Sequence, residues 1–133
     1  MTAPLTIVNP PELGAPRGFA HGVIMPAAGR TLLVAGQIGT DGSSSAAGFT
    51  AQFDRALARV LVVVRAAGGR PEDIARMTVY VTDMDGYRNS RADLRAVWER
   101  HLGSHYPAMA LVGVTSLVDP AAMVEIDATA VLP

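Results

Sequence analysis

The residues best suited to acid–base chemistry lie near the C-terminus of the chain. Apolar and polar residues alternate over residues 124–129, which predicts a strand with Glu125 and Asp127 on one face and Ile126 on the other. A carboxylate in a cleft that partly excludes water has a raised pKa and can accept or deliver a proton. Glu125 in such a cleft could hold a water molecule or shuttle a proton. Alternatively, Glu125 lies on the solvated face of an edge strand and has no chemical role.

Arg91 is a second candidate because of its position along a predicted helix. It follows Tyr87 by four residues and precedes Leu94 by three, so helical spacing places it on a stripe that is otherwise apolar. Its guanidinium could bind a carboxylate ligand through two parallel hydrogen bonds. Alternatively, the aliphatic part of the side chain packs on the core and the charged end reaches solvent at the rim.

Several other kinds of chemistry find no support in the sequence. The chain has no lysine and no cysteine, which excludes a Schiff-base lysine, a thiolate nucleophile and disulfide bonds. The three histidines form neither an HxH nor an HExxH pattern, so no metal site is expected. No phosphate-binding loop or dinucleotide fingerprint is present, and we therefore expect no cofactor.

The distribution of charge and hydropathy indicates the class of partner. The formal net charge is −1 and the 11 basic residues form no run of like sign, so nucleic acid is not an expected partner. No segment reaches the roughly 18 consecutive apolar residues of a membrane span. The first residues, MTAP, do not resemble a signal peptide. We therefore expect a small-molecule ligand, no membrane partner and a cytoplasmic location.

Two helices and a set of strands are predicted to position these residues. Residues 49–67 are predicted to be a helix, because apolar residues recur at steps of three and four. A second helix is predicted over about residues 85–102, and a serine-rich loop at residues 39–48. Strands are predicted at residues 5–8, 19–25, 31–38, 77–82, 108–117 and 122–131. The second and third of these strands are expected to form a β-hairpin.

The order of these elements predicts a single α+β domain over residues 1–133. Two helices can cover only one face of the mixed sheet. Several strands carry apolar residues on both faces, so the second face is expected to meet another subunit in a homo-oligomer. The alternative is a monomer with a half-exposed sheet, since polar residues such as Thr78 and Asp127 occupy part of one face.

Short segments between residues 9 and 131 resemble the RidA/YjgF/UK114 family in their order and spacing. These segments are residues 35–38 (AGQI), 66–68 (AAG) with 72–74 (EDI), 79–84 (VYVTDM), 106–108 (YPA) and 124–128 (VEIDA). The resemblance implies a chorismate-mutase-like fold and a homotrimer whose sheets pack into a central barrel. It also implies ligand clefts at the subunit interfaces.

The resemblance also implies a reaction. Family members with the full set of motifs hydrolyse 2-imino acids, which are tautomers of enamines such as 2-aminoacrylate, to 2-keto acids and ammonia without a cofactor. In those members the arginine of a Pro-Ala-Arg motif binds the substrate carboxylate. A glutamate of the last strand positions the attacking water.

Carried over to this chain, the resemblance matches only some of these residues. Glu125 matches the glutamate, but Met109 occupies the position of the arginine, so that carboxylate clamp is absent. Phe19 stands where many members have a tyrosine, which removes a hydroxyl donor. Arg91 falls where well-studied members place an asparagine in the cleft, so it could act as a relocated cation.

The sequence therefore predicts a trimeric RidA-like protein with a pocket at the subunit interface. The pocket would be lined by Phe19, Gly36, Arg91, Met109 and Glu125, with Glu125 as the catalytic residue. The expected ligand is an enamine, imine or related reactive metabolite, less acidic than a 2-imino acid or differently oriented. One alternative is a retained 2-iminobutanoate or 2-iminopropanoate deaminase in which Arg91 binds the carboxylate. The other is a ligand-sensing or chaperone-like subunit without catalysis.

Overall fold

The computed structural model of the chain describes residues 4–40 and 48–133. In chain order the elements are β1 (Thr6–Val8), β2 (Gly22–Ile24), β3 (Arg30–Ile38), α1 (Phe49–Ala66), β4 (Ile74–Val81), α2 (Met84–Asn89), α3 (Arg91–Leu102), β5 (Ala108–Gly113) and β6 (Val124–Leu132). Single turns of 3-10 helix occur at Pro11–Leu13 and Pro71–Asp73. Most of the serine-rich loop predicted at residues 39–48 lies outside the described residues.

Four strands form a mixed sheet in the order β3-β6-β4-β5. Strand β6 lies antiparallel to both β3 and β4, whereas β4 and β5 are parallel. A parallel pair needs a crossover connection, which α2 and α3 supply here. This mixed α+β sheet with its helices confirms the predicted fold class.

The face of the sheet that packs against the helices forms the core. Met77, Val79 and Val81 alternate along β4 and are fully buried, as the period of a strand predicts. Helix α1 contributes residues at helical spacing, among them Leu57 and Val60, which are also fully buried. Burying a side chain of this size contributes about 1.5–3 kcal/mol, so this face provides most of the stabilisation.

The opposite face of the sheet, which we call the open face, is less buried. It carries the partly exposed polar residues Thr78 and Tyr80 of β4 and Glu125 and Asp127 of β6. Leu33 of β3 lies on the same face, and 76% of its surface is exposed. The sheet thus has one face covered by helices and one accessible face, as its composition predicts.

The predicted hairpin between β2 and β3 is wrong. Strand β2 pairs with β1 in a separate two-stranded sheet, and β3 pairs with β6. Both β3 and β6 are 9 residues long, whereas β2 has only 3. Pairing with β6 therefore satisfies far more backbone donors and acceptors of β3 than a hairpin with β2 would.

The second predicted helix is interrupted. Helix α2 ends at Asn89 and α3 begins at Arg91, with Ser90 between them at φ −108° and ψ 8°. Asparagine and serine compete with the backbone for hydrogen bonds and disfavour helix interiors. The predicted apolar stripe is retained in α3, where Leu94 and Trp98 are buried. Arg91, however, is the exposed first residue of α3 and not a member of a buried stripe.

Candidate functional site

The register of β4 and β5 decides where Met109 points. Met109 pairs with Met77, and Leu111 pairs with Val79. Paired residues of neighbouring strands share a face, so Met109 and Leu111 point toward the helices as Met77 and Val79 do. Because β5 is an edge strand, Met109 and Leu111 remain only partly buried.

A cavity of about 850 Å³ lies where this edge of the sheet meets the helices, and we call it the helix-side cavity. Its size is in the range of pockets that hold small ligands. It brings together Arg91 and Met109, two of the residues predicted to line a site. Its apolar lining consists of Phe53, Val79, Leu94, Trp98, Met109 and Leu111.

Three arginines line the helix-side cavity: Arg17, Arg91 and Arg95. All three are exposed. None of them forms an ion pair or a hydrogen bond with another residue in the part of the chain that the structure describes. Glu99 is the acidic residue of the described lining. The cavity therefore combines an apolar interior with a cationic rim.

One wall of the cavity is made rigid by an aromatic pair. The rings of Trp98 and Tyr106 stack with centroids 5.4 Å apart and an interplanar angle of 2°. The indole nitrogen of Trp98 donates a hydrogen bond of 3.0 Å to the carbonyl oxygen of His105. These contacts connect α3 to the segment that precedes β5, so they hold the two elements that carry Arg91 and Met109.

Phe19 lies beside this site, in a neighbouring cavity of about 310 Å³. Tyr106 lines both cavities, and Gly18 lines the larger one. The backbone N–H of Ala20 donates a hydrogen bond of 2.9 Å to the carbonyl oxygen of Pro107, which anchors the N-terminal segment next to β5. Phe19 is thus close to the predicted site without lining the helix-side cavity.

Glu125 and Gly36 lie together on the open face. A Cβ added to Gly36 would lie 2.7 Å from the Glu125 carboxyl carbon, so a side chain there would displace the carboxylate. Across β4, Asp127 accepts hydrogen bonds from the backbone N–H of Thr78 at 3.2 Å and from the hydroxyl of Tyr80 at 3.3 Å. Glu125 has no such partner among the described residues, so its carboxylate is available to a ligand.

The five predicted residues therefore form two separate groups within one chain. Arg91 and Met109 line the helix-side cavity with Phe19 beside them, whereas Gly36 and Glu125 are on the open face. The sheet itself stands between the groups, because Glu125 pairs with Tyr80 while Met109 pairs with Met77 of the opposite face. Within one chain, the two groups therefore face opposite sides of the sheet.

Sequence reasoning did not select Arg17 and Arg95 as site residues. Arg95 follows Arg91 by four residues, and this helical spacing was a usable signal that the two side chains are neighbours. Arg17 precedes β2 outside any helix or strand, and no local pattern in the sequence connects it to α3. Its place at the cavity depends on how the N-terminal segment packs.

A polar cluster holds α3 against α1. Asp54 accepts hydrogen bonds of 2.6 Å from the Nε2 atom of His101 and 2.6 Å from the guanidinium of Arg100. Partial burial acts to raise the pKa of Asp54, but the hydrogen bonds and charges of His101 and Arg100 together hold this pKa below its usual value. The cluster therefore stabilises the orientation of the helix that carries Arg91 and Arg95.

Metal sites and membrane-spanning helices are both absent from the described residues. Residues 4–40 and 48–133 contain no group of three or more histidines and carboxylates that could hold a metal ion. Of the helices described, none is both long enough and apolar enough to cross a bilayer.

A family model described as Endoribonuclease L-PSP matches residues 12–132 of the chain. The chain belongs to this family. A Rid-family protein of unknown function, YyfB from Yersinia pestis, has a crystal structure that matches with a TM-score of 0.83, 31% identity, and coverage of 98% of this chain and 100% of its own. The predicted resemblance to the Rid/YjgF/UK114 family is thereby confirmed.

Two E. coli structures of lower TM-score agree with this assignment to the Rid family. The YjgF gene product is 28% identical, with a TM-score of 0.66 and 92% of each chain covered. TdcF with bound serine is 27% identical, with a TM-score of 0.68, covering 90% of this chain and 92% of its own. A search of curated protein sequences gives no match to this Rid-family chain.

Proposed function

We propose that this Rid-family protein acts on an enamine, imine or related reactive metabolite at a site shared between subunits of a homotrimer. The separation of the site residues into two groups supports this proposal above all. Contact between the open face of one subunit and the helix-side cavity of the next would place Glu125 and Gly36 opposite Arg91 and Met109. The family resemblance implies interface clefts of this kind.

In this proposal Glu125 is the catalytic base and acid. Water adds to the carbon of the C=N bond while Glu125 takes a proton from that water. Glu125 then returns this proton to the nitrogen, which gives a carbinolamine. Glu125 next takes the carbinolamine hydroxyl proton and delivers it to the nitrogen as the C–N bond breaks, so that ammonia leaves and the carbonyl product forms. Enamines enter the same path through their imine tautomers. No cofactor is needed, because the reaction is a hydrolysis without change of oxidation state.

Met109 argues against a standard 2-imino acid deaminase. By resemblance it stands at the position of the family's carboxylate-binding arginine, and a thioether cannot form the charge-assisted bonds that hold a carboxylate. The side chain instead extends the apolar lining of the helix-side cavity. A substrate that is less acidic, or whose carboxylate is placed elsewhere, fits this position better.

A second candidate function is favoured by one observation. Arg91 lines the same cavity as Met109, so a carboxylate displaced from the Met109 position could be bound by Arg91. TdcF was crystallised with serine, which is an amino acid and so carries a carboxylate. In this case the protein would retain deaminase activity toward 2-imino acids.

The test is an assay in which an amino-acid oxidase generates 2-imino acids and the decay of the imine is followed with and without the protein. We expect any acceleration to fall by about 10²-fold or more in the Glu125→Gln variant, since a general acid–base typically contributes 10²–10⁴-fold. The control is Glu72→Gln, which removes an exposed carboxylate outside the site. A Glu125→Gln variant as active as the control would refute the catalytic role of Glu125.

The same assay separates the two candidates. Loss of activity in Arg91→Gln, with KM rising more than kcat falls, would support the retained deaminase. Acceleration with imines that lack a carboxylate, or whose anionic groups lie away from the C=N carbon, but not with 2-imino acids, would support the first proposal. Binding of imines or keto acids without any acceleration would leave the ligand-sensing or chaperone-like function.

The charge of this chain gives no support to an endoribonuclease activity, which the family description names. The formal net charge is −1, and the basic residues form no run along the sequence. A protein that binds the phosphate backbone of RNA typically carries a basic patch or stripe.

A further inference from the structure

The helix-side cavity has more positive charge at its rim than one carboxylate requires. Arg17, Arg91 and Arg95 all line it, against the single carboxylate of Glu99 in the described lining. A guanidinium binds one carboxylate with two parallel hydrogen bonds, so one arginine is sufficient for a monoanion. The two additional arginines therefore need another explanation.

Without a bound anion, the positions of these arginines are electrostatically unfavourable. Arg91 and Arg95 are four residues apart on α3, so their side chains are neighbours and like charges at this spacing repel. Arg17 comes from a different part of the chain, which Ala20 fastens to Pro107 by a 2.9 Å hydrogen bond. Two independent elements thus bring cations to one cavity, and none of the three arginines forms an ion pair with another residue in the part of the chain that the structure describes.

The interior of the cavity has the opposite character. Phe53, Val79 and Leu94 are buried apolar residues, and Met109 and Leu111 extend this surface to the edge of the sheet. An apolar group that covers this surface gains free energy in proportion to the area removed from water. A ligand suited to the whole cavity therefore has an apolar body and anionic groups at its rim.

We propose that the helix-side cavity binds small molecules that carry two negative charges on an apolar or aromatic body. One anionic group lies between Arg91 and Arg95, and the second lies toward Arg17. Met109 contacts the apolar body. This inference rests on the proposed function, in the form where the anionic groups of the substrate lie away from Met109, because it names the substrate class of the same site.

The test is calorimetric titration with four probes at pH 8. Benzylsuccinate has two carboxylates and an aromatic body, 3-phenylpropanoate has the same ring with one carboxylate, and succinate has two carboxylates without the ring. Phenyl phosphate carries its two charges on one group. We expect benzylsuccinate to bind at least about tenfold more tightly than 3-phenylpropanoate and succinate, since each lacks one of the two recognised features.

Variants at the rim connect this preference to the arginines. Arg91→Gln and Arg95→Gln should each weaken benzylsuccinate binding by about tenfold, with a smaller loss for 3-phenylpropanoate. Arg65→Gln removes the same charge from an exposed position of α1 outside the lining and should leave binding unchanged. All three residues are exposed, and thermal unfolding checks that the variants remain folded.

Equal affinity for mono- and dianions, no binding of any probe, or rim variants that match Arg65→Gln would overturn the inference. Phenyl phosphate that binds as tightly as benzylsuccinate would support the preference for two charges, but it would overturn the placement of two separate anionic groups. The experiment is independent of imine turnover because none of the four probes has a C=N bond and Glu125 is intact throughout. Binding of dianions by a protein that is inactive toward imines would support the inference and refute the proposed hydrolysis. Imine turnover by a protein with no preference for dianions would support the hydrolysis and refute the inference.

Discussion

Gly36 and Glu125 show how one missing side chain shapes a candidate site. The Glu125 carboxylate occupies the space that a side chain at position 36 would fill. Both residues were selected from the sequence through the family resemblance, but their contact follows from the pairing of β3 with β6. A bulge between Val34 and Gln37 places Gly36 outside the regular register of that pairing.

We predict that Gly36→Ala lowers activity while the fold is retained. The new Cβ would lie 2.7 Å from the Glu125 carboxyl carbon and force that flexible side chain to move. A displacement of about 1 Å at a catalytic group can cost on the order of 10²-fold in rate, so we expect a loss of about 10- to 100-fold in the imine assay. The free energy of unfolding should change by less than about 1 kcal/mol, because alanine is intrinsically tolerated better than glycine in a strand.

The matched control is Gly113→Ala, in the edge strand β5. There an added Cβ would lie 3.5 Å from its nearest atom, the Met84 methyl carbon, which is ordinary contact. If Gly36→Ala and Gly113→Ala have the same activity, the Glu125 carboxylate does not need its observed position.

At the scale of elements, α3 carries the rim of the candidate site, and its orientation depends on Asp54 of α1. Helical periodicity predicted the buried residues of α3 but not the break at Ser90, since propensity alone disfavours an interior Asn–Ser pair without forbidding it. The break turns Arg91 from a mid-helix residue into the first residue of α3. That change explains its exposure at the rim.

We predict that the contribution of Asp54 to stability depends on pH. Its pKa in the folded protein lies below the ordinary value of 3.8, so its stabilisation is present above that value and is lost as pH falls through the folded-state pKa. Asp54→Asn should lower the free energy of unfolding at pH 7 by about 1 kcal/mol or less, because the pair is partly exposed and screened by solvent. The difference from the unmodified protein should be smaller at pH 3 than at pH 7, as urea unfolding at the two pH values would show.

The control for Asp54 is Asp85→Asn. Asp85 is 3.9 Å from Arg88, and 89% of its side chain is exposed, so its removal should have little effect at either pH. A difference between Asp54→Asn and the unmodified protein that is as large at pH 3 as at pH 7 would contradict this account.

At the scale of the whole molecule, the open face determines whether the two groups of site residues can meet. It carries Leu33, which is 76% exposed in the isolated chain, together with the candidate base Glu125. An apolar side chain of this size gains roughly 1.5–3 kcal/mol from full burial, which favours a subunit contact across this face.

We predict that Leu33→Asp reduces the oligomeric state and the imine activity together. A carboxylate buried at an interface without a partner is strongly unfavourable, so the subunits should separate. The molar mass in solution, measured by light scattering after size-exclusion chromatography, should fall from that of the proposed trimer toward that of a monomer. Val62→Asp, at a 63% exposed position of α1, should leave both the mass and the activity unchanged.

A Leu33→Asp protein of unchanged mass would exclude the open face as the trimer contact. A protein that loses its oligomeric state but keeps full imine activity would show that one chain holds a complete site. Either result would end the proposal that the site is shared between subunits.

Local patterns in the sequence were sufficient to predict the secondary structure of the core and to identify the family. The periods of a strand and a helix are properties of neighbouring residues, so the buried faces of β4 and α3 could be recognised from residues such as Met77, Val79 and Trp98. The pairing of β3 with β6, and the gathering of Arg17 beside α3, join residues far apart in the chain. Only the tertiary structure decided this pairing and the position of Arg17, because both depend on which long-range contacts bury the most surface and satisfy the most backbone groups.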